Sequence, residues 1–233
     1  LTGTLETSRR PPACFAAVAG NFDGQGLSFG CCQWNLGQGT LQQLLQMVES
    51  RDSDAFAQCF GDHSTELRAV LRQPRNDQMR WASRIQTGSH SLLEPWKHAF
   101  QALGHTDVGQ AVQVELAGTL YAKALILCTI LSVWSERAVA LMFDIKVQMG
   151  GFEQETVDAI RIQYAMMTSD PARPEGEQAR LETIAHQVAF QANPKFSADV
   201  RNRKMAIARG NGTVHGIPIE LETQFGIRLA SFR

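Results

Sequence analysis

Residues 21–39 read NFDGQGLSFGCCQWNLGQG, a stretch in which glycine is interleaved with Phe22, Leu27, Phe29 and Trp34. Apolar residues that alternate with glycine are typical of short strands and tight turns, because glycine weakens a helix and permits the backbone of a turn. The flanking sequence has helical spacing instead. We therefore expect a mostly α-helical protein with a small β-sheet or ribbon near residues 21–36.

The helical pattern begins directly after this stretch. Leu41, Leu44, Leu45 and Val48 follow Thr40, a good N-cap residue, at the spacing of one helix face. A long central helix is predicted from Val108 to Trp134, which is almost free of Gly and Pro. Further helices are predicted over 138–149, behind Ser135 and before Gly150 and Gly151, and around 153–168, 175–191 and 195–209. A proline-containing loop is predicted over 170–174, and a second glycine-rich piece with short strands or turns over 210–219.

Composition excludes several classes of protein. The 233 residues suffice for one large domain or two lobes, and 44% apolar with 19% charged residues is ordinary for a soluble globular protein. The formal net charge of −1 gives no field for nucleic acid or an anionic membrane, so we expect neither partner. The apolar stretch from Ala124 to Val133 falls short of the roughly 20 residues of a spanning helix, and we expect a buried core helix.

Cysteine and histidine give no metal-binding pattern. The chain has five cysteines without a CxxC pair, and six histidines without the HExxH spacing of zinc peptidases. We expect free, mostly buried thiols, no metal and no cofactor. The chain begins at Leu1 with no secretory signal, and we expect it to be a piece of a longer protein.

Two carboxyl groups stand in contrasting contexts. Glu6 lies among apolar neighbours near the start of the chain, and Asp23 lies in the glycine-rich turn, where small residues leave room for a polymer. Glycoside hydrolysis needs such a pair, one to protonate the leaving oxygen and one to activate water. Residue type alone does not select them, because 23 acidic residues are present. Without further information, a solvated surface carboxylate is the favoured explanation of Glu6, and a turn-forming residue that of Asp23.

Several motifs resemble one known superfamily. The segments Leu5-Glu6-Thr7-Ser8 and 22–30 (FDGQGLSFG) resemble the catalytic region of the chitosanase/lysozyme-like superfamily, as in family 46 chitosanases. The run 20–45, with QWNLGQG at 33–39, is more similar to the peptidoglycan-degrading domains of type VI secretion effectors and related phage-type proteins. Residues 137–151 and 203–216 look like the same family.

The resemblance implies a fold and a mechanism. The expected fold is lysozyme-like α+β, with two helical lobes and a small β-sheet beside a substrate cleft, forming one catalytic domain over 1–233. Glu6 matches the general acid, Asp23 the general base, and Ser28 the Thr that holds the attacking water, in an inverting mechanism. Two departures are Gln25, where chitosanases have Arg, and Cys31-Cys32 before Gln33.

Other residues receive expected roles with a structural alternative beside each. Asp144 lies in an apolar helix and needs a partner, and the resemblance implies that Asp144 and Arg203 form a buried ion network that steers the catalytic residues. The alternative is a salt bridge without a catalytic role. The residues expected to bind sugar are Gln33, Trp34, Asn35, Gln148 and His215; Trp34 also fits a core position.

The resemblance thus implies a lysozyme-like muramidase that acts on peptidoglycan. It further implies a secreted antibacterial effector that acts in the periplasm of a target bacterium, and a monomer with a cognate immunity protein. Two alternatives remain open. One is a chitosanase, since the same carboxyl pair fits that substrate. The other is a non-catalytic module that binds the cell wall.

Overall fold

The computed structural model describes residues 1–170 and 172–231. The protein is mostly helical, with 64% helix and a few short strands, as the sequence predicts. The chain divides into two compact units, which are described separately below. The first unit comprises Leu1–Leu5 and Gly118–Arg233, and the second comprises Glu6–Ala117.

The β-structure of the second unit forms directly around the glycine-rich stretch. After helix α1 (Thr2–Thr7) and a 3₁₀ turn (Ala13–Ala16), strands β1 (Val18–Ala19), β2 (Ser28–Phe29) and β3 (Trp34–Asn35) form an antiparallel sheet in that order. The register pairs Val18 with Phe29 and Ser28 with Asn35. The predicted small sheet is confirmed, and it starts earlier than residue 21 because β1 precedes the glycines.

Helices make up the rest of the second unit. They are α2 (Thr40–Arg51), α3 (Ser53–Phe60), α4 (His63–Leu71), α5 (Arg75–Arg84), α6 (Glu94–His105) and the first part of α7 (Asp107–Leu131). The predicted N-cap at Thr40 is wrong. Gly39, in the left-handed conformation at φ 77°, caps α2, while the Thr40 hydroxyl accepts a hydrogen bond from the Asn35 N–H at 2.9 Å. The hydroxyl is therefore used to hold the end of β3.

The core of the second unit joins the sheet to the helices. Leu41, Leu44, Leu45 and Val48 are fully buried, as their helical spacing predicts. Phe29 of β2 packs against Phe100 of α6, with ring centroids 5.4 Å apart. Aromatic pairs of this kind stabilise a fold by about 0.5–1.5 kcal/mol beyond the effect of burying their apolar surface. The sheet is thus held on a helical base even though each strand has only two residues.

The first unit is built from helices and one hairpin. It contains the end of α7, then α8 (Glu136–Met149), α9 (Gln154–Ala165), α10 (Pro174–Gln191), α11 (Ser197–Arg209), strands β4 (Asn211–Val214) and β5 (Ile217–Glu220), and α12 (Leu221–Phe225). Ser135 caps α8 by accepting the Ala138 N–H, and Gly150 ends it at φ 79°, as predicted. The strands β4 and β5 confirm the second glycine-rich piece as a hairpin.

The predicted loop over 170–174 agrees with the structure in part. Asp170 accepts the Ala172 N–H in a short turn, but Pro174 is already the first residue of α10. Proline is favoured there, because the first turn of a helix has no partner for its N–H groups. Pro171 lies outside the described residues.

Helix α7 differs from the expected buried helix. Ala124, Cys128 and Leu131 are buried, whereas Ile126 and Ile130 on another face are 59% and 38% exposed. The helix spans Asp107–Leu131, which confirms the long helix predicted from Val108 to Trp134, and its 25 residues are long and apolar enough, by length and composition, to cross a membrane. One such helix is weak evidence, since the core helix of a soluble protein passes the same test.

Candidate active site

Glu6 is presented by the short helix α1. Thr4 and Leu5 are buried, whereas Glu6 is half-buried near the carboxyl end of the helix. The helix ends where Ser8 adopts a left-handed conformation at φ 56°. The Glu6 carboxylate is one of the charges that raise the pKa of the Cys32 thiol, so the two side chains lie near each other in the second unit.

Asp23 lies in a turn that other side chains fasten. Asn21 accepts the Gly26 N–H on Oδ1 at 2.8 Å, and its own N–H donates to Gln86 Oε1 at 2.8 Å. Asp23 itself is exposed, and its Oδ1 accepts the Gln25 N–H at 3.0 Å. Gly26 has φ 79°, and a Cβ there would meet the Met79 sulfur at 2.8 Å. The turn therefore requires glycine, and it holds the Asp23 carboxylate towards water.

Ser28 follows this turn as the first residue of β2. It is 5% exposed and is paired with Ala19 on one side and Asn35 on the other. The strand connects the Asp23 turn to the middle of the sheet, so Ser28 and Asp23 belong to one continuous, hydrogen-bonded segment of the second unit.

The three expected sugar-binding residues after Ser28 are mostly engaged within the second unit. Gln33, at φ 51°, donates from Nε2 to the Gly30 carbonyl at 2.8 Å. Asn35 is 8% exposed, and its Oδ1 accepts the Gln38 N–H at 2.8 Å. Trp34 is 6% exposed within the apolar core, the structural alternative considered for it above. Sugar binding by all three stays a prediction.

The buried ion network is present in the first unit, and it is larger than predicted. Arg203 donates to Asp144 Oδ2 from Nε at 2.9 Å and to Oδ1 from Nη2 at 2.7 Å. Lys204 donates to Asp144 Oδ2 at 2.5 Å and to Gln148 Oε1 at 2.6 Å. The Thr2 hydroxyl of α1 donates to Asp144 Oδ1 at 3.0 Å. Asp144 and Lys204 are completely buried.

The balance of charge in this network determines the state of Asp144. Burial alone raises the pKa of that carboxyl, but the charges of Lys204 and Arg203 and their hydrogen bonds outweigh burial and hold the pKa well below its usual range. One carboxylate is thus shared by two buried cations. Any change that removes the negative charge of Asp144 therefore affects both cations.

Lys204 was missed by sequence reasoning. In a helix with one apolar face, an Arg-Lys pair is expected on the polar face, where both charges are solvated. Here α11 is buried on nearly all sides, from Arg203 through Ala208. The run Ala206-Ile207-Ala208, which has no polar residue, is the signal that could have indicated such a central helix.

Gln148 and His215 also lie in the first unit. The Gln148 oxygen accepts a hydrogen bond from Lys204. His215 is exposed in the turn between β4 and β5, and its Nε2 lies 2.8 Å from Oδ1 of Asp199 in α11. Their predicted contact with sugar is not tested by these interactions. Across residues 1–170 and 172–231, no group of three or more His, Cys, Asp or Glu side chains could hold a metal ion.

In comparisons with known proteins, the chain matches no protein-family model, no curated protein and no solved structure.

Proposed function

We propose that the protein is a glycoside hydrolase that cleaves β-1,4 bonds of peptidoglycan, as a muramidase of lysozyme-like α+β fold. The observation that carries this proposal is the contrast between two carboxyl groups of the second unit. Glu6 is half-buried at a helix end, and Asp23 is exposed on a turn fastened by Asn21 and Gln86. An acid that meets the leaving oxygen and a base that meets water need these two settings.

In the proposed mechanism Glu6 donates its proton to the glycosidic oxygen as the bond to the anomeric carbon breaks. Asp23 takes a proton from a water molecule, and the water oxygen attacks the same carbon from the opposite face of the sugar. The product therefore has inverted configuration. Among the described residues, only Gln25 donates a hydrogen bond to Asp23, through Oδ1, so Oδ2 remains for the water. The Ser28 hydroxyl is the group that we propose to orient that water.

The biological setting is part of the same proposal. A muramidase of this kind fits a secreted antibacterial effector that acts in the periplasm of a target bacterium, with a cognate immunity protein to protect its producer. Asp144 and Arg203 then act through α1 on Glu6, and Gln33, Trp34, Asn35, Gln148 and His215 remain candidates for contact with the glycan. These roles rest on the resemblance of the sequence motifs.

Digestion of purified peptidoglycan, followed by mass spectrometry of the products, tests the proposal. We expect reducing ends on N-acetylmuramic acid. Glu6→Gln and Asp23→Asn should each lower turnover at least about a hundredfold, as general acid–base catalysis contributes about 10²–10⁴-fold. Glu94→Gln is the matched control, because Glu94 is an exposed residue of the same unit, and it should leave turnover unchanged.

The same assay separates the alternatives. Release of reducing ends from chitosan but not from peptidoglycan would identify a chitosanase with the same carboxyl pair. Binding to the wall without cleavage of any glycan would identify the non-catalytic module. Free stem peptides from an intact glycan, or full activity of Glu6→Gln, would refute the glycosidase assignment.

A further inference from the structure

Two adjacent cysteines lie at the tip of the hairpin formed by β2 and β3. Cys31 and Cys32 are both half-buried and both free. The residues that flank them, Gly30 and Gln33, have positive φ angles of 82° and 51°. The two cysteines therefore lie in a tight turn, and both are partly exposed.

The backbone beneath these thiols is held in place. The Gly30 N–H donates to the Ala17 carbonyl at 2.8 Å, and the Cys31 N–H donates to Gln113 Oε1 at 3.0 Å. Gln113 is fully buried, and its Nε2 donates to the Phe15 carbonyl at 3.0 Å. A Cβ at Gly30 would collide with the Gln113 side chain. The pair of cysteines is thus built on a fixed base.

The two thiols are chemically different although they are neighbours. A hydrogen bond from Cys32 lowers the pKa of Cys31 against the opposing effect of burial. The same hydrogen bond, burial and the charges of Cys31 and Glu6 raise the pKa of Cys32. Because the thiolate is the nucleophile, Cys31 is the member of the pair that reacts first.

We propose that Cys31 and Cys32 form a redox modification site that low-molecular-weight disulfides convert into an intramolecular disulfide. The Cys31 thiolate attacks one sulfur of the small disulfide, its S–S bond breaks, and one small thiolate leaves. The Cys32 thiol then loses its proton to water, and its thiolate attacks the Cys31 sulfur of the mixed disulfide; the S–S bond to the small molecule breaks, and the second small thiolate leaves and takes up a proton. The protein loses two hydrogen atoms, and the small disulfide is reduced to two thiols.

The product is readily reversible. The Cα atoms of adjacent residues are about 3.8 Å apart across a trans peptide, which is shorter than the roughly 4.4–6.8 Å of an ordinary disulfide. A bond between neighbours is therefore strained, and strained disulfides are the easily reduced ones. The site can switch between the two states as the ratio of small thiol to small disulfide changes.

The other cysteines lack this combination of features. Cys14 is 1% exposed and Cys128 is fully buried. Cys59 is half-buried like the pair, but it lies in α3, and its pKa is raised by burial and by Asp52, with no thiol among the causes. Cys59 therefore provides a control that is also partly exposed and has no adjacent cysteine in the sequence.

Oxidation of the reduced chain with excess glutathione disulfide at neutral pH tests the proposal. Remaining thiols are alkylated, and intact mass and peptide mapping locate the bond. We expect a loss of two hydrogen atoms and one peptide with Cys31 and Cys32 both protected, in wild type, Cys59→Ser and Cys14→Ser. In Cys32→Ser, glutathione should remain on Cys31 as a mixed disulfide.

The mapping in wild type is decisive by itself, so the proposal stays testable if a serine variant fails to fold. A bond that includes Cys14, a mixed disulfide on Cys31 with Cys32 still reduced, or unmodified Cys31 in folded protein would each overturn it. None of these outcomes depends on the proposed hydrolase activity.

Discussion

Replacement of Asp144 by Asn removes a single negative charge from the centre of the buried network in the first unit. Asn keeps the shape of the side chain, but Arg203 and Lys204 both lose the charge of the carboxylate with which they are paired. Breaking a buried ion pair in this way costs about 3–5 kcal/mol, because an uncompensated charge remains buried. We expect the upper part of that range, since two cations share Asp144.

Urea unfolding followed by circular dichroism measures the effect. With a dependence of about 2 kcal/mol per molar urea, a loss of about 4 kcal/mol shifts the midpoint by about 2 M. Hydrogen exchange in α8 and α11 assigns the loss to the first unit. Asp199→Asn is the control, because Asp199 pairs with His215 in an exposed salt bridge of the same unit, and such pairs contribute at most about 1 kcal/mol.

The effect also has a defined pH dependence. The folded state holds the pKa of Asp144 below its usual range. The stabilisation that the Asp144 charge provides is therefore complete above the pKa of about 3.9 in the unfolded chain, and it is lost as pH falls through the pKa in the folded state. The difference between wild type and Asp144→Asn should therefore be constant from neutral pH to about pH 5, and should shrink below pH 4. A midpoint shift no larger than that of Asp199→Asn would refute this account of the network.

Three further substitutions have expected outcomes. Gln113→Leu leaves the Cys31 N–H and the Phe15 carbonyl without their partner and should lower the free energy of unfolding by at least about 2 kcal/mol in thermal denaturation. Ser28→Ala should lower peptidoglycan turnover about fivefold, because one net hydrogen bond is worth about 1 kcal/mol and that energy corresponds to about a fivefold change in rate. Ser28→Thr keeps the hydroxyl and should retain the turnover. Ser135→Ala removes the cap of α8 and should cost about 1 kcal/mol.

The elements that were predicted well are those whose local chemistry determines them. Ser135 and Gly150 delimit α8 through a side-chain cap and a left-handed residue, and both signals are visible in the sequence. The glycine-rich stretches likewise indicated the sheet and the hairpin. Strand β1 was not predicted, because two residues, Val18 and Ala19, become a strand only through their pairing with β2.

The features that were not predicted depend on tertiary contacts. Thr40 carries the signal of an N-cap, but its hydroxyl binds Asn35 instead. Lys204 has the appearance of a surface lysine until α11 is placed at the centre of its unit. The candidate site has the same division: the sequence indicated Glu6, Asp23 and their contrasting settings, whereas the hydrogen bonds of Asn21 that fasten the Asp23 turn are known only from the structure.

We expect the network to affect the proposed acid Glu6 through helix α1, which contains both Thr2 and Glu6. An isolated helix of six residues is unstable in water, because nucleation is unfavourable and so short a helix forms few hydrogen bonds to offset it. Tertiary contacts must therefore hold α1. Those contacts lie at its buried residues: Thr2 donates to Asp144, and Leu5 packs in the apolar core. Glu6 follows Leu5 directly, and it lies one helical turn beyond Thr2. Loss of the Asp144 charge therefore loosens the anchored end of α1 first, so the position of the proposed acid should be disturbed at urea concentrations where the helices of the first unit are still folded.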